Sequence, residues 1–126
     1  MRLFLKVVIL FFSSVIPALP NAGEFAFDSI DGGTLDIRQF EGKAVLITNT
    51  ASRCGFTRQY SDLEKLHQAY KDKGLVVIAV PSNDFNQELS SNLKVKEFCN
   101  VNFGLTLPMT EVTSVRGKEA HPFYLR

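Results

Sequence analysis

Cys54 stands in the run Asn49-Thr50-Ala51-Ser52-Arg53-Cys54-Gly55-Phe56-Thr57, after an apolar strand-like stretch and before a helix-like one. A thiol at a helix N-terminus meets aligned peptide dipoles and unpaired N–H groups, which favour the thiolate. Such placements lower a thiol pKa from ~8.5 to as little as ~3.5–7.5. Arg53 and Arg58 add formal positive charge at the same point. The other cysteine, Cys99, shares a helical face with Val95 and Phe98 and reads as a core thiol. Polar and glycine neighbours set Cys54 apart from that use, which makes it the candidate nucleophile.

The elements that must hold Cys54 follow from the apolar pattern. Phe25 to Ile30 and Thr34 to Ile37 flank the turn signal Asp31-Gly32-Gly33, which predicts an N-terminal hairpin. Lys43 to Thr48 and Leu75 to Val80 are unbroken apolar runs, the pattern of strands covered on both faces. Between them Tyr60, Leu63, Leu66 and Tyr70 recur at helical steps, and Gly74 stands where a C-cap belongs. Strand, helix and strand make a βαβ unit with parallel strands and a right-handed crossover. Pro81 then opens a polar loop, 82–88, on the same rim as the Cys54 turn. A second helix is expected over 92–102, closed by Gly104, with extended segments at 105–109 and 111–115 and a turn at Arg116-Gly117.

The bulk properties fit one small globular domain of 126 residues. Met1 to Lys6 is short and basic, Val7 to Ile16 apolar, and Pro17 to Ala22 small and turn-prone, the three-part pattern of a secretory signal peptide. Pro17 and Pro20 interrupt the apolar run before it reaches the ~20 residues of a membrane span. The domains expected are therefore a signal peptide over 1–22 and a folded domain over 23–126, exported to a periplasmic or secreted location. Of the 14 basic residues, Arg2 and Lys6 fall in the leader, leaving 12 against 13 acidic. Near-neutrality without a basic run gives no reason to expect a nucleic-acid partner, and no membrane contact is expected after cleavage. Two distant cysteines and two distant histidines are too few for a structural zinc site.

A reactive thiolate that opens a helix after a central strand is the thioredoxin arrangement, but the residue three places on is Thr57. No disulfide can close within the turn, and with Arg58 at the fourth place no Cys-x-x-x-Cys copper site exists either. What remains is a thiolate that attacks a substrate and is resolved from elsewhere. The run 49–57, with Gln59-Tyr60 and Leu63, resembles the active-site signature of the glutathione peroxidase family. Agreement continues through Lys73-Gly74-Leu75-Val76-Val77, Pro81-Ser82-Asn83-Asp84-Phe85, Gln87-Glu88, Glu97-Phe98-Cys99, Leu107-Pro108-Met109 and His121-Pro122.

The resemblance implies an α/β thioredoxin-like fold, here with an N-terminal β-hairpin and a βαβ unit and lacking the C-terminal strands and helix. It implies reduction of hydrogen peroxide or organic hydroperoxides in the response to oxidative stress, with Cys54 as the peroxidatic residue. No resident cofactor is implied; the co-substrate is a thiol, either glutathione or a thioredoxin-like protein. Gln87 matches the glutamine that the family sets beside its peroxidatic residue, one position short of the common spacing from Asn83. The family's tryptophan and asparagine follow the His-Pro motif, and this sequence holds no tryptophan. The expectation is thus a truncated reading of a longer protein, with a non-catalytic remnant or redox-sensing thiol module as the alternative function. Cys99 is the possible resolving thiol, although alignment places the family's resolving cysteine at Asn100. His121 reads as structural and His67 as a partly exposed helix residue.

Overall fold

The computed structural model describes residues 22–125. The signal peptide expected over 1–22 lies outside these residues, apart from Ala22 in a short 3₁₀ turn, Ala22–Glu24. The hairpin forms as expected: β1 (Ala26–Asp28) pairs antiparallel with β2 (Thr34–Asp36), and Phe27 stands opposite Leu35. Alternation in each strand turns these two side chains inward and leaves their neighbours toward solvent.

The βαβ unit consists of β3 (Ala44–Thr50), α1 (Gln59–Tyr70) and β4 (Leu75–Pro81). Its strands are parallel and in register from Ala44 opposite Leu75 to Thr50 opposite Pro81. A 3₁₀ turn, Lys71–Lys73, ends the crossover helix, and Gly74 follows at φ 92°. That left-handed backbone is one a Cβ disfavours, which is why glycine closes the helix. Strand β4 is the centre of the core. Val76, Ile78 and Val80 meet Leu35 and Val115 on one face, and Val77 and Ala79 meet Tyr60, Val95, Cys99 and Met109 on the other.

Strand β3 departs from expectation. Ala44, Leu46 and Asn49 are exposed, so its apolar run is not covered on both faces. Among the described residues β3 pairs with β4 alone, and α1 packs chiefly on β4. An apolar run reports suitability for burial, whereas neighbouring elements decide whether burial happens.

Helix α1 also corrects the reading of His67, which is buried. At 3.6 residues per turn, position 67 returns to within about 20° of Tyr60, while position 70 is turned about 80° away. Tyr70 is accordingly exposed, with the Lys73 ammonium 5.3 Å from its ring centre. His67 Nδ1 accepts from the Val77 N–H at 3.4 Å. Burial pushes the imidazole below its ordinary value, the Glu64 charge partly opposes this, and Lys71 adds to the lowering. A native pKa below the unfolded value of ~6.5 means that the unfolded chain binds the extra proton. Stability is therefore expected to be full above about pH 6.5 and to fall as acid titrates through the native value. Urea midpoints of wild type and His67→Gln between pH 8 and pH 5 check this: the wild type should lose more, and parallel curves would refute the assignment.

Helix α2 (Asn92–Phe103) starts at Ser91, whose side chain accepts from the Lys94 N–H at 3.3 Å, and stops at Gly104, φ 58°. Its buried side chains, Val95 and Cys99, face the core. The segments expected to be extended over 105–115 form no strand. Instead Met109 bridges Ala79 and Thr110 bridges Ser29. Pro108 accepts from the Ala79 N–H at 3.0 Å but has no N–H of its own to carry a ladder further. With Ile30 N–H on Met109 O and Glu111 N–H on Asp28 O, this crossing ties the hairpin to the edge of β4.

Candidate active site

Strand β3 ends at Thr50, and residues 51–58 cross to α1 through turns. The Cys54 carbonyl accepts from the Thr57 N–H at 3.1 Å and from the Thr57 hydroxyl. Gln59, Tyr60 and Ser61 then donate their N–H groups to the carbonyls of Phe56, Thr57 and Arg58. The chain winds through three-residue turns before α1 begins at Gln59. Cys54 is thus five positions ahead of the helix, not at its N-terminus as expected. Thr57 is the cause, since its side chain and backbone both capture the Cys54 carbonyl and hold the segment in a turn. The field of a helix fades within its first turn, so α1 is a minor influence on the thiol. A local donor takes its place: the Phe56 N–H points at Cys54 Sγ, 3.4 Å away.

Cys54 is half-buried and borders a cavity of about 70 Å³. Thr48 and Thr50 of β3, Phe56, and Gln59, Tyr60 and Leu63 of α1 form its walls. Phe56 is 67% exposed and stands as an apolar lip beside the thiol, while Arg53 and Arg58 lie exposed on either side.

The loop after β4 reaches the same rim, as the topology demands. The Arg53 N–H donates to the Gln87 carbonyl at 2.8 Å. Gln87 itself is exposed and is not among the cavity walls. The fold therefore brings the Gln87 backbone against the nucleophile turn without bringing its side chain into the cavity. Behind it Asp84 fixes the loop from below: its carboxylate accepts from Val115 N–H at 2.6 Å, Arg116 N–H at 3.1 Å and the Ser114 hydroxyl. The hydrogen bond from Val115 leads the effects that hold the Asp84 carboxyl below the usual carboxylate range. Arg116 lies over the Phe85 ring at 4.7 Å.

Cys99 lies in the core, 1% exposed, and neither cysteine is in a disulfide. Burial pushes its thiol up to about 11; the Tyr60 hydroxyl opposes the rise and the Glu88 charge adds to it. Cys99 is therefore a protonated thiol in a regular helix, and a bond to Cys54 requires α2 to open until the Cα atoms approach within ~7 Å. His121 is a structural ring stacked on Phe27 at 3.9 Å. Its Nδ1 accepts from the Phe123 N–H at 3.2 Å, so Nε2 carries the proton and donates to Ala26 O at 2.8 Å.

Sequence reasoning missed the role of Glu88, which it read only as the neighbour that identifies Gln87. The Glu88 carboxylate is 5% exposed, and Oε1 accepts from the N–H groups of Ser52 at 3.0 Å and Leu89 at 2.7 Å. A glutamate in a polar loop carries no sequence sign of burial.

The sequence profile of the glutathione peroxidase family matches residues 23–126. A glutathione peroxidase of Lactococcus lactis subsp. cremoris is 44% identical over 105 residues, which cover 82% of this chain and 67% of that one. The hydroperoxy fatty acid reductase of Synechocystis is 42% identical over 101 residues, covering 79% and 60%. The chain thus spans about three fifths to two thirds of the length of these relatives. Among solved structures, T. cruzi GPX1 superposes with a TM-score of 0.58 at 33% identity, covering 80% of this chain and 60% of that one. A thiol:disulfide interchange protein of the thioredoxin family from Chlorobium tepidum reaches 0.59 at 19% identity, covering 71% and 57%, a likeness of fold alone. The fold is α/β and thioredoxin-like.

Proposed function

This chain belongs to the glutathione peroxidase family, and from that membership we propose that it serves the thiol-dependent reduction of hydrogen peroxide or organic hydroperoxides, with Cys54 as the peroxidatic residue. The observation that carries the reading is the half-buried Cys54 in the turn that follows β3, with the Phe56 N–H directed at its sulfur and a cavity beside it. The thiolate attacks the terminal peroxide oxygen, an S–O bond forms as the O–O bond breaks, and the departing alkoxide or hydroxide takes a proton to become alcohol or water. The cysteine is left as sulfenic acid. A thiol then attacks that sulfur, releases water and forms a disulfide, which a second thiol opens.

Arg53 and Arg58, exposed on either side of Cys54, draw anionic substrates or thiols toward it. Gln87 assists by placing its amide toward the peroxide oxygens once substrate enters, a rotation available to an exposed side chain. The reductant is glutathione or a thioredoxin-like protein, and Cys99 serves as resolving thiol where α2 opens. Residues 1–22 direct export to a periplasmic or secreted location, where this activity answers oxidative stress.

Repeated consumption of peroxide with glutathione, or with thioredoxin and its reductase, tests the reading. Many equivalents should be consumed per chain. A single stoichiometric burst with either donor would refute turnover and favour a redox-sensing thiol. Peptide mapping of the oxidised chain assigns Cys99: a Cys54–Cys99 disulfide would place it in the cycle, and a persistently free Cys99 would remove it.

A further inference from the structure

Glu88 has a buried carboxylate that the reaction above does not use. A carboxylate taken out of water needs partners to compensate for the hydration it loses. Compensation here is partial: Oε1 holds two N–H groups, while Oε2 has no hydrogen-bond partner among the described residues. None of the ion pairs among the described residues involves it. The buried Ser52 Oγ is also without a partner there, whereas the Tyr60 hydroxyl lies within reach of Thr50 and Cys99. Thr50 ends β3 and lines the Cys54 cavity together with Tyr60, while Ser52 lies two residues before Cys54. The Glu88 charge also reaches both Tyr60 and Cys99.

The hydrogen bonds that the Glu88 carboxylate accepts all come from backbone amides. Its carboxylate holds Ser52 N–H, and the carbonyl of the preceding residue, Gln87, holds Arg53 N–H. Two consecutive amides just before Cys54 are thus fastened to two consecutive residues of the opposing loop. The loop side is fastened in turn, because the Glu88 N–H donates to Asn83 Oδ1 at 3.1 Å and Leu89 N–H closes on the same carboxylate. Removing the Glu88 acceptor leaves Ser52 N–H without its partner and takes away one of the two backbone ties between the residues ahead of Cys54 and the Gln87 loop.

We propose that Glu88 is a positioning residue for the nucleophile, whose buried carboxylate clamps the Ser52–Arg53 backbone to the Gln87 loop and so sets the orientation of Cys54. The proposal rests on Cys54 being the reactive thiol. It makes a distinction between charge and acceptor geometry: Glu88→Gln keeps a carbonyl that can hold both amides but removes the charge, whereas Glu88→Ala removes both.

The test uses the full chain and two readouts, the single-turnover rate of Cys54 oxidation by hydrogen peroxide and the pH profile of Cys54 alkylation by iodoacetamide. Displacement of a reacting group by about 1 Å costs as much as 10²-fold, so Glu88→Ala is expected to slow oxidation by about ten- to a hundredfold. Its alkylation profile should move to higher pH as the sulfur loses the Phe56 N–H. Glu88→Gln should stay within about threefold of wild type and rescue the profile. Equal behaviour of the Ala and Gln variants would overturn positioning in favour of a purely electrostatic role, and wild-type behaviour of a folded Ala variant would overturn it outright. Should Glu88→Ala not fold, Glu88→Asp, which withdraws the acceptor while keeping the charge, must be slower than Glu88→Gln, and the reverse order would overturn the proposal. Alkylation uses no peroxide, so a wild-type chain inert to peroxide would sink the peroxidase reading while the alkylation profiles still decide the role of Glu88.

Discussion

Cys54→Ser is expected to lower thiol-dependent hydroperoxide reduction by about 10³-fold or more, because a serine hydroxyl is not ionised near neutrality and is a poor nucleophile toward peroxide oxygen. The substitution exchanges one small half-buried side chain for another, so the turn closed by Thr57 and the Ser52–Glu88 contact should persist. Circular dichroism and the urea midpoint should therefore change little while activity vanishes. Cys99→Ser sets the contrast, since it places a hydroxyl among Tyr60, Val95 and Met109 and should lower stability before it lowers the initial rate of peroxide attack. Retention of the wild-type rate by folded Cys54→Ser would mean that the chemistry lies elsewhere.

Phe27→Ala is expected to cost about 3–5 kcal/mol, a large part of the ~5–15 kcal/mol that holds a domain of this kind together. Phe27 is 2% exposed, stacks on His121 and lies 5.8 Å from the Phe123 ring. Its removal empties the joint between the N-terminal hairpin and the 3₁₀ turn Pro122–Tyr124. That turn reaches the site indirectly, since the Tyr124 hydroxyl donates to Asn49 Oδ1 at 2.6 Å on β3. Loss of stability should thus come with a looser end to β3, the strand that leads into the Cys54 turn. Leu93→Ala, at a side chain 65% exposed, should change the unfolding free energy by no more than about 0.5 kcal/mol and leave the urea midpoint nearly unmoved. Equal midpoints for the two variants would contradict this account of the core.

The hairpin, the βαβ unit, both helices and their glycine caps could be read in the sequence because each has a local signal. Gly74 and Gly104 mark left-handed backbone, and the apolar runs mark strands. Failures arose where the outcome depends on what lies across the fold. Coverage of β3 depends on which elements lie over it, and the exposure of Leu46 is invisible in its apolar neighbourhood. The segments 105–109 and 111–115 form no strand, and the single bridges at Met109 and Thr110 depend on Pro108 meeting Ala79. At the site, Cys54 stood out by its neighbours, whereas its distance from α1 follows from the Thr57 capture of its carbonyl. Burial of His67 was a matter of helical phase and could have been found by counting from Tyr60. Glu88 offered no such route, because its importance lies in a contact 36 residues away, at Ser52.

The central claim is that peroxide oxidises Cys54 first and in preference to Cys99. Dimedone trapping during a stoichiometric pulse of hydrogen peroxide, followed by peptide mapping by mass spectrometry, tests it most directly. The account predicts the adduct on the peptide bearing Cys54, formed within the first turnover, with Cys99 unlabelled behind its helix. Labelling of Cys99 ahead of Cys54, or no adduct on a folded chain, would contradict it.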